Sequence, residues 1–510
     1  MFVTEEQVYQ SRKTIELNGK WQFKKSGETV WADATVPGCN FTDLYNNGLI
    51  EDPFYRINET KLQWIEHCDW EYRKAFTVQE EDLNSSEAIL NFEGLDTYCD
   101  VFLNGELILK NRNMFTAANV RCIKNLQVGT NELFIKFRSP INEVMPIHEK
   151  KGFVYPAEND KSEERLSVYT RKAPYHYGWD WGPRFVTSGI WRDVNLEFVL
   201  KTRISDIQVH QCSIEEDKAQ LIFVVELETV EPFSGQLTIT CEEASDARKC
   251  VAVSASEGTK KFSVPLTIKN PKLWWPNGLG EAHLYDFKIL IESTDTCLFQ
   301  ANQKVGLRTI EVVNEEDEIG ESFYVKVNGH PVFMKGANYI PSDSFLTRVS
   351  SSKYKQIFED AVSANMNMLR VWGGGIYEND EFYDLADEYG ILIWQDFMFA
   401  CSLYPADQEF ISNVKEEVSY NMKRLRNHPC LALWCGNNET EMGIEFWNWQ
   451  ETFGYSDATY ARLKEDYDLL FKTTLPSLVK DLDPSRFYFS SSPIGFWENT
   501  QDDSKGDNHY

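Results

Sequence analysis

The sequence predicts a multidomain protein of β plus α/β class, with two β-sandwiches followed by an incomplete (β/α)8 TIM barrel. Three observations carry that prediction. The first three hundred residues alternate in short apolar and polar runs broken by turn signals. From Phe323 onward such runs alternate instead with helical stretches. Finally, the apolar Leu431-Ala432-Leu433 leads directly into Trp434-Cys435-Gly436-Asn437-Asn438-Glu439, an amide beside an acid at the end of a buried strand. Strands alternating with helices make a parallel sheet, and in a β/α barrel the C-terminal strand ends form the reactive face.

Five hundred and ten residues exceed one core, so about three domains are expected. Strands fill the first two hundred. Trp70-Glu71-Tyr72-Arg73-Lys74-Ala75-Phe76 alternates, and Asn104-Gly105 separates Val101-Phe102-Leu103 from Glu106-Leu107-Ile108. Asn-Gly supplies the two positive φ values of a type I′ hairpin. This gives a β-sandwich over 1–202. A second strand-rich stretch follows, closed by Leu273-Trp274-Trp275-Pro276-Asn277-Gly278 and a further strand through Lys288. About a hundred residues at that spacing suit an immunoglobulin-like sandwich, bounded at 203–310, whose expected job is to space and support its neighbours. The barrel takes 311–510. Its strands are expected at 332–336, 367–372, 391–395, the run ending at Glu439, and 486–490, with the start of a sixth near 507–510. Helices are expected at 352–364, 380–389 and 408–426.

Composition excludes several functions. Fifty-one basic residues against 79 acidic ones give a net charge of −28, spread along the chain, which disfavours nucleic acid and anionic membranes. No basic stretch followed by an apolar core opens the sequence, and no run of about 18 apolar residues occurs. The expected setting is soluble and cytoplasmic, with a processed secreted or lysosomal form as the alternative that would leave the same sequence. Eleven cysteines without a CxxC pair read as buried free thiols. The eight histidines are scattered, no HExxH is present, and His428 has no ligand-spaced partner, so no metal is expected. Trp372-Gly373-Gly374-Gly375 lacks the lysine or glycine spacing of a phosphate loop. No cofactor is expected, and oligomeric state is not legible.

One segment of the first sandwich is unlike packing. In Tyr175-His176-Tyr177-Gly178-Trp179-Asp180-Trp181-Gly182-Pro183-Arg184, rings flank a single acid while glycine and proline forbid a regular strand. Two readings stand: a projecting loop that contacts a ligand, or an aromatic clasp between two β domains in which Asp180 caps backbone amides.

Together these motifs carry a resemblance. Arg370-Val371-Trp372-Gly373-Gly374-Gly375, Trp394-Gln395-Asp396-Phe397, the Asn438-Glu439 string, Gly506-Asp507-Asn508-His509-Tyr510, the Asp180 loop, Val36-Pro37-Gly38-Cys39 and Asn91-Phe92-Glu93-Gly94-Leu95-Asp96 resemble, in order, the β-mannosidases of glycoside hydrolase family 2. The resemblance implies a jelly-roll sugar-binding-like sandwich, an immunoglobulin-like sandwich and a barrel, acting on carbohydrate as a retaining exo-β-mannosidase. It implies that Glu439 is the general acid/base and that Asn438 contacts the substrate beside the broken bond. Asp180, flanked by Trp179 and Trp181, would reach into the barrel mouth to hold sugar hydroxyls. Trp372 and Trp447 would wall the pocket, Trp449 competing for the second of these roles, and His509 and Tyr510 would lie near it.

The departure is the nucleophile. The family carries it as a glutamate on the seventh barrel strand, in a Ser-Glu-Phe or similar context that does not occur before Tyr510. Glu498 has no matching position. The 510 residues alone are therefore expected to lack turnover. Three alternatives stay open: another exo-specificity of the same family, exo-β-glucosaminidase or β-galactosidase; a non-catalytic carbohydrate-binding fragment; and a structural or interaction fragment.

Overall fold

The structure, a computed structural model, describes residues 13–293, 297–316, 318, 320 and 322–494. His509, Tyr510, Glu498 and the expected sixth strand lie outside the described residues.

Two antiparallel sheets form the first sandwich. One has four strands in the order Lys13–Glu16, Val194–Val199, Glu87–Phe92, Ala118–Arg121. The other has six, ordered Ala32–Val36, Gly19–Lys25, Trp70–Val78, Gly129–Phe137, Cys99–Leu103, Glu106–Asn111. Alternation decides which side faces in: Leu133, Ile135 and Phe137 are buried while their neighbours are not. At the predicted hairpin, Asn104 and Gly105 have φ of 52° and 85°. The strand reading of this region missed the helix Pro140–Lys151, begun by Ser139 Oγ accepting from Asn142 N at 3.0 Å and stopped at Gly152.

A three-stranded sheet (Thr202–Ile214, Lys218–Thr229, Gly258–Lys269) faces a four-stranded one (Lys249–Ala255, Phe233–Cys241, Tyr285–Glu292, Cys297–Val305), the seven antiparallel strands of an immunoglobulin-like sandwich. Its Trp-Trp-Pro-Asn segment clamps the barrel from below. Trp274 Nε1 donates to Asp387 O at 2.8 Å, and Asn277 donates from its backbone to Gly390 O and from Nδ2 to Met366 O.

Five parallel strands follow in chain order: Gly336–Tyr339, Met368–Val371, Leu392–Asp396, Leu431–Cys435 and Phe487–Phe489. The first was misplaced by the sequence reading. His330–Val332 pairs antiparallel in a small sheet with Tyr324–Val327, and the barrel strand begins only at Gly336. Gly336 is the position where a side chain would meet Met368 O, a methyl falling 1.9 Å away. The helices Ser351–Ser363, Asp380–Tyr389 and Gln408–Leu425 lie between the strands. Ser350 and Asp407 cap two of them by accepting from backbone N–H groups three residues on, and Gly390 in the left-handed region ends another.

A buried ion pair joins the first sandwich to the barrel. Arg171 donates from Nε and Nη2 to the Glu417 carboxylate at 2.8 and 2.6 Å, with a further bond to Met398 O. Tyr377 and Asn113 also donate to Glu417. Ten cysteines are described, none in a disulfide; Cys212 and Cys250 are exposed, which corrects the expectation that all are buried. No described helix is long and apolar enough to cross a membrane.

Candidate active site

A cavity of about 420 Å³ opens at the C-terminal ends of the parallel strands, inside the usual range for small-ligand sites. The strand Leu431–Cys435 stops four residues short of Glu439, which correct placement puts in the following loop, as the residue before the helix Thr440–Phe446. That loop is held from both sides. Asn438 N donates to Phe399 O, Cys401 N to Asn438 O, and Glu439 N to Ser492 O, at 2.8 to 2.9 Å. Glu439 has a φ of 59°, a costly conformation for a residue with a side chain, and such strain persists only where the surroundings dictate it.

The amide of Asn438 has its orientation fixed at both atoms. Arg370 Nη2 donates to Asn438 Oδ1 at 3.0 Å, and Asn438 Nδ2 donates to Cys401 Sγ at 3.3 Å. Arg370 is itself locked, with Nη2 donating to Asp396 Oδ2 at 2.7 Å and Nη1 to Asn338 Oδ1 at 3.0 Å. Asp396 also accepts from Trp394 Nε1 and Gly373 N, each at 3.0 Å. Trp394 thus supports this network and does not line the cavity. Beside Glu439, Cys401 Sγ donates to Oε2 at 3.3 Å. Burial, and then the neighbouring carboxylate, push this thiol far above its usual range, so it remains S–H.

Aromatic rings form the walls. Trp372 is buried, and the edges of Trp179 and Trp181 meet it at centroid distances of 4.5 and 5.8 Å. Gly374 makes room for that ring, since a methyl there would fall 1.9 Å from it. The Asp180 loop turns tightly between Trp179 N and Gly182 O at 3.1 Å. Arg184 anchors its base, donating to Asp160, Glu66 and Tyr177 O. The loop therefore clasps the sandwich to the barrel mouth and not one β domain to another. Asp180 lines the cavity and, among the described residues, makes no hydrogen bond or ion pair. Trp447 lines the cavity too, whereas Trp449 is buried behind it and donates to Glu158 Oε1 at 2.7 Å.

Arg370, Cys401, Glu158, Asn159, Asn338 and Ile340 also line the cavity and were not singled out from sequence. Arg370 stood inside a quoted motif two residues before Trp372, and a charged residue within the apolar strand Met368–Val371, just before the glycine run, was the available signal. Nothing marked Cys401. Three donors, from Asp387, His428 and Cys430, lie within 4.8 Å of one another, so the folded chain gives His428 partners that its sequence spacing hides. They serve each other: His428 Nδ1 is 2.6 Å from Asp387 Oδ2, and Cys430 N donates to Asp387 Oδ1. Burial opposes the charged imidazole, but Asp387 raises the His428 pKa above its usual value, which favours the His428–Asp387 ion pair.

The chain matches two adjoining family models, the glycosyl hydrolase 2 galactose-binding domain-like family over residues 21–192 and the glycosyl hydrolases family 2 over 202–308. It is 36% identical to a β-mannosidase B of Emericella nidulans over 97% of this chain and 59% of that protein. A β-mannosidase of Bos taurus is 35% identical over 94% of this chain and 55% of its own length. A crystal structure of a β-D-mannosidase from Dictyoglomus thermophilum superposes with a TM-score of 0.90 at 39% identity, covering 98% of this chain and 60% of that one. The chain thus spans under two thirds of the length of these relatives.

Proposed function

We propose, from a chain that belongs to family 2 of the glycosyl hydrolases, that these residues form the sugar-gripping part of a retaining exo-β-mannosidase. The domains on this reading are a jelly-roll sandwich over 1–202, an immunoglobulin-like sandwich over 203–310 and the first part of the catalytic barrel over 311–510. The observation that carries the reading is the Asn438-Glu439 pair, whose orientation is set by Arg370 and Cys401 at a strand-end mouth walled by tryptophan.

Glu439 acts as general acid/base. It protonates the leaving oxygen while a second carboxylate attacks the anomeric carbon, and then deprotonates the incoming water; retaining chemistry sets the two carboxyls about 5 to 5.5 Å apart. Of the other described acids lining the cavity, Glu158 is engaged by Trp449 and Asp180 sits on the loop, so neither takes the role of nucleophile, which the family resemblance gives to a glutamate on a seventh barrel strand. Asn438 holds a hydroxyl beside the reacting carbon. Asp180 grips terminal hydroxyls from above, and a loop across the mouth favours removal of end sugars. Trp179, Trp181, Trp372 and Trp447 supply apolar faces against which a pyranose stacks, and His509 is kept as a pocket neighbour.

The test is to express the protein at the length of its relatives and compare aryl β-glycosides. Mannoside should be cleaved far faster than glucoside, galactoside or glucosaminide. Equal or faster turnover of a galactoside or glucosaminide would replace mannose with that rival sugar.

A further inference from the structure

We propose a second carbohydrate-binding site, in the crevice between the outer face of the first sandwich and the barrel, taking a neutral oligosaccharide. The crevice encloses about 740 Å³ and shares no lining residue with the cavity around Glu439.

Its floor is a row of amides. Asn119, Asn91 and Asn195 stand in register on three adjacent strands, Asn91 opposite both of the others. Asn91 Nδ2 donates to Asn195 Oδ1 at 2.9 Å. Asn91 Oδ1 is buried and accepts nothing, while among the described residues Asn195 Nδ2 donates to nothing and the exposed Asn119 amide makes no side-chain bond. The Asn195 Nδ2 donor and the whole Asn119 amide, set at strand spacing with Asn91 fixing the row between them, match sugar hydroxyls, each of which both donates and accepts. From the barrel side the partly exposed Tyr420 ring lines the crevice, the apolar complement that a pyranose ring needs, with Trp191 and Tyr354 buried beneath the lining.

Charge decides the ligand class. Three acids, Glu93, Asp193 and Asp380, and three arginines, Arg192, Arg203 and Arg424, line the crevice, so no net field selects an anion or a cation. The arginines are mostly committed: Arg203 to Glu228, Arg424 to Asp380, and Arg192 to the carbonyls of Tyr377 and Glu378. What remains for a ligand is the amides with the Glu93 and Asp193 carboxylates, which can accept from sugar hydroxyls. The inference does not depend on the mannosidase reading, because it concerns a different surface.

The experiment is calorimetric titration of the 510-residue chain with β-1,4-mannotriose, with cellotriose and mannose 6-phosphate as comparison probes. Two binding events are expected. Asn119→Leu, on an exposed residue that cannot unfold the sandwich, and Asn91→Ala should each weaken one event about tenfold and leave the other unchanged, while Trp372→Ala should do the reverse. A single event abolished by Trp372→Ala, or two events indifferent to both asparagine changes, would overturn the second site. Tighter binding of the phosphorylated sugar at the asparagine-dependent site would overturn its neutral ligand class. If Trp372→Ala alone were without effect, the assignment of the first pocket would fail and the second would stand.

Discussion

Cys401 Sγ lies 3.3 Å from Glu439 Oε2, and the same sulfur accepts from Asn438 Nδ2. One thiol therefore sets the spacing between the proposed acid/base and its neighbouring amide. Cys401→Ala removes both of these weak sulfur hydrogen bonds, together worth on the order of 1 kcal/mol. In the full-length protein kcat should fall about fivefold with little change in KM, and Cys401→Ser should recover most of it. A fall confined to KM would assign Cys401 to binding alone. The buried, protonated thiol should also resist iodoacetamide while Cys212 and Cys250 react; peptide mapping reads this out.

Glu439→Gln keeps shape and hydrogen bonding but removes the transferable proton. Turnover of mannobiose by the full-length protein should drop by roughly 10² to 10⁴. Activated aryl mannosides, which need less protonation of the leaving oxygen, should lose less in the first step. Unchanged mannobiose turnover would end the assignment.

Gly374→Ala places a methyl where Trp372 lies, 1.9 Å from the ring. The ring must move, at about 1–3 kcal/mol for overpacking. Lower thermal stability and a raised KM on mannosides should appear together, and a variant with parental Tm and KM would show that the wall tolerates displacement.

Glu417→Ala strands the Arg171 guanidinium in the seam between sandwich and barrel. Removing one partner of a buried pair costs about 3–5 kcal/mol, whereas replacing both by apolar residues is often neutral. Thermal melts should therefore show a large drop for Glu417→Ala and a small one for the Arg171→Met, Glu417→Leu double variant.

Burial lifts two carboxyls, Asp43 and Glu378, to about 7, despite hydrogen bonds from Thr35 N and Tyr72 to the first and from Tyr354 to the second. A raised acid favours the folded state while protonated. Its contribution is complete below the ordinary values of 3.8 and 4.5 and is lost as pH rises through about 7. Asp43→Asn and Glu378→Gln should leave the Tm at pH 4 near parental and raise it at pH 8. Parallel pH profiles for parent and variants would contradict this.

The sequence by itself determined the order of architectures, because hydrophobic period is a local property: period two through the sandwiches, then strands alternating with helices. It determined the Asn104-Gly105 hairpin through φ alone, and it drew attention to Asn438, Glu439 and the Asp180 loop, because unusual residue strings remain visible without a fold. It did not determine where Glu439 sits relative to its strand, since strand ends depend on neighbours: Asn438 and Glu439 are fixed by Phe399 and Ser492, 39 and 53 residues away in the chain. Nor did it show Cys401 against Glu439, Arg171 against Glu417, or the asparagine row at 91, 119 and 195. Those are relations between segments distant in sequence, created only when parallel strands and packed sheets bring them within hydrogen-bond reach. Only the tertiary structure decided between Trp447 and Trp449 as the ring facing the cavity, because two aromatic residues two positions apart differ in burial and not in chemistry.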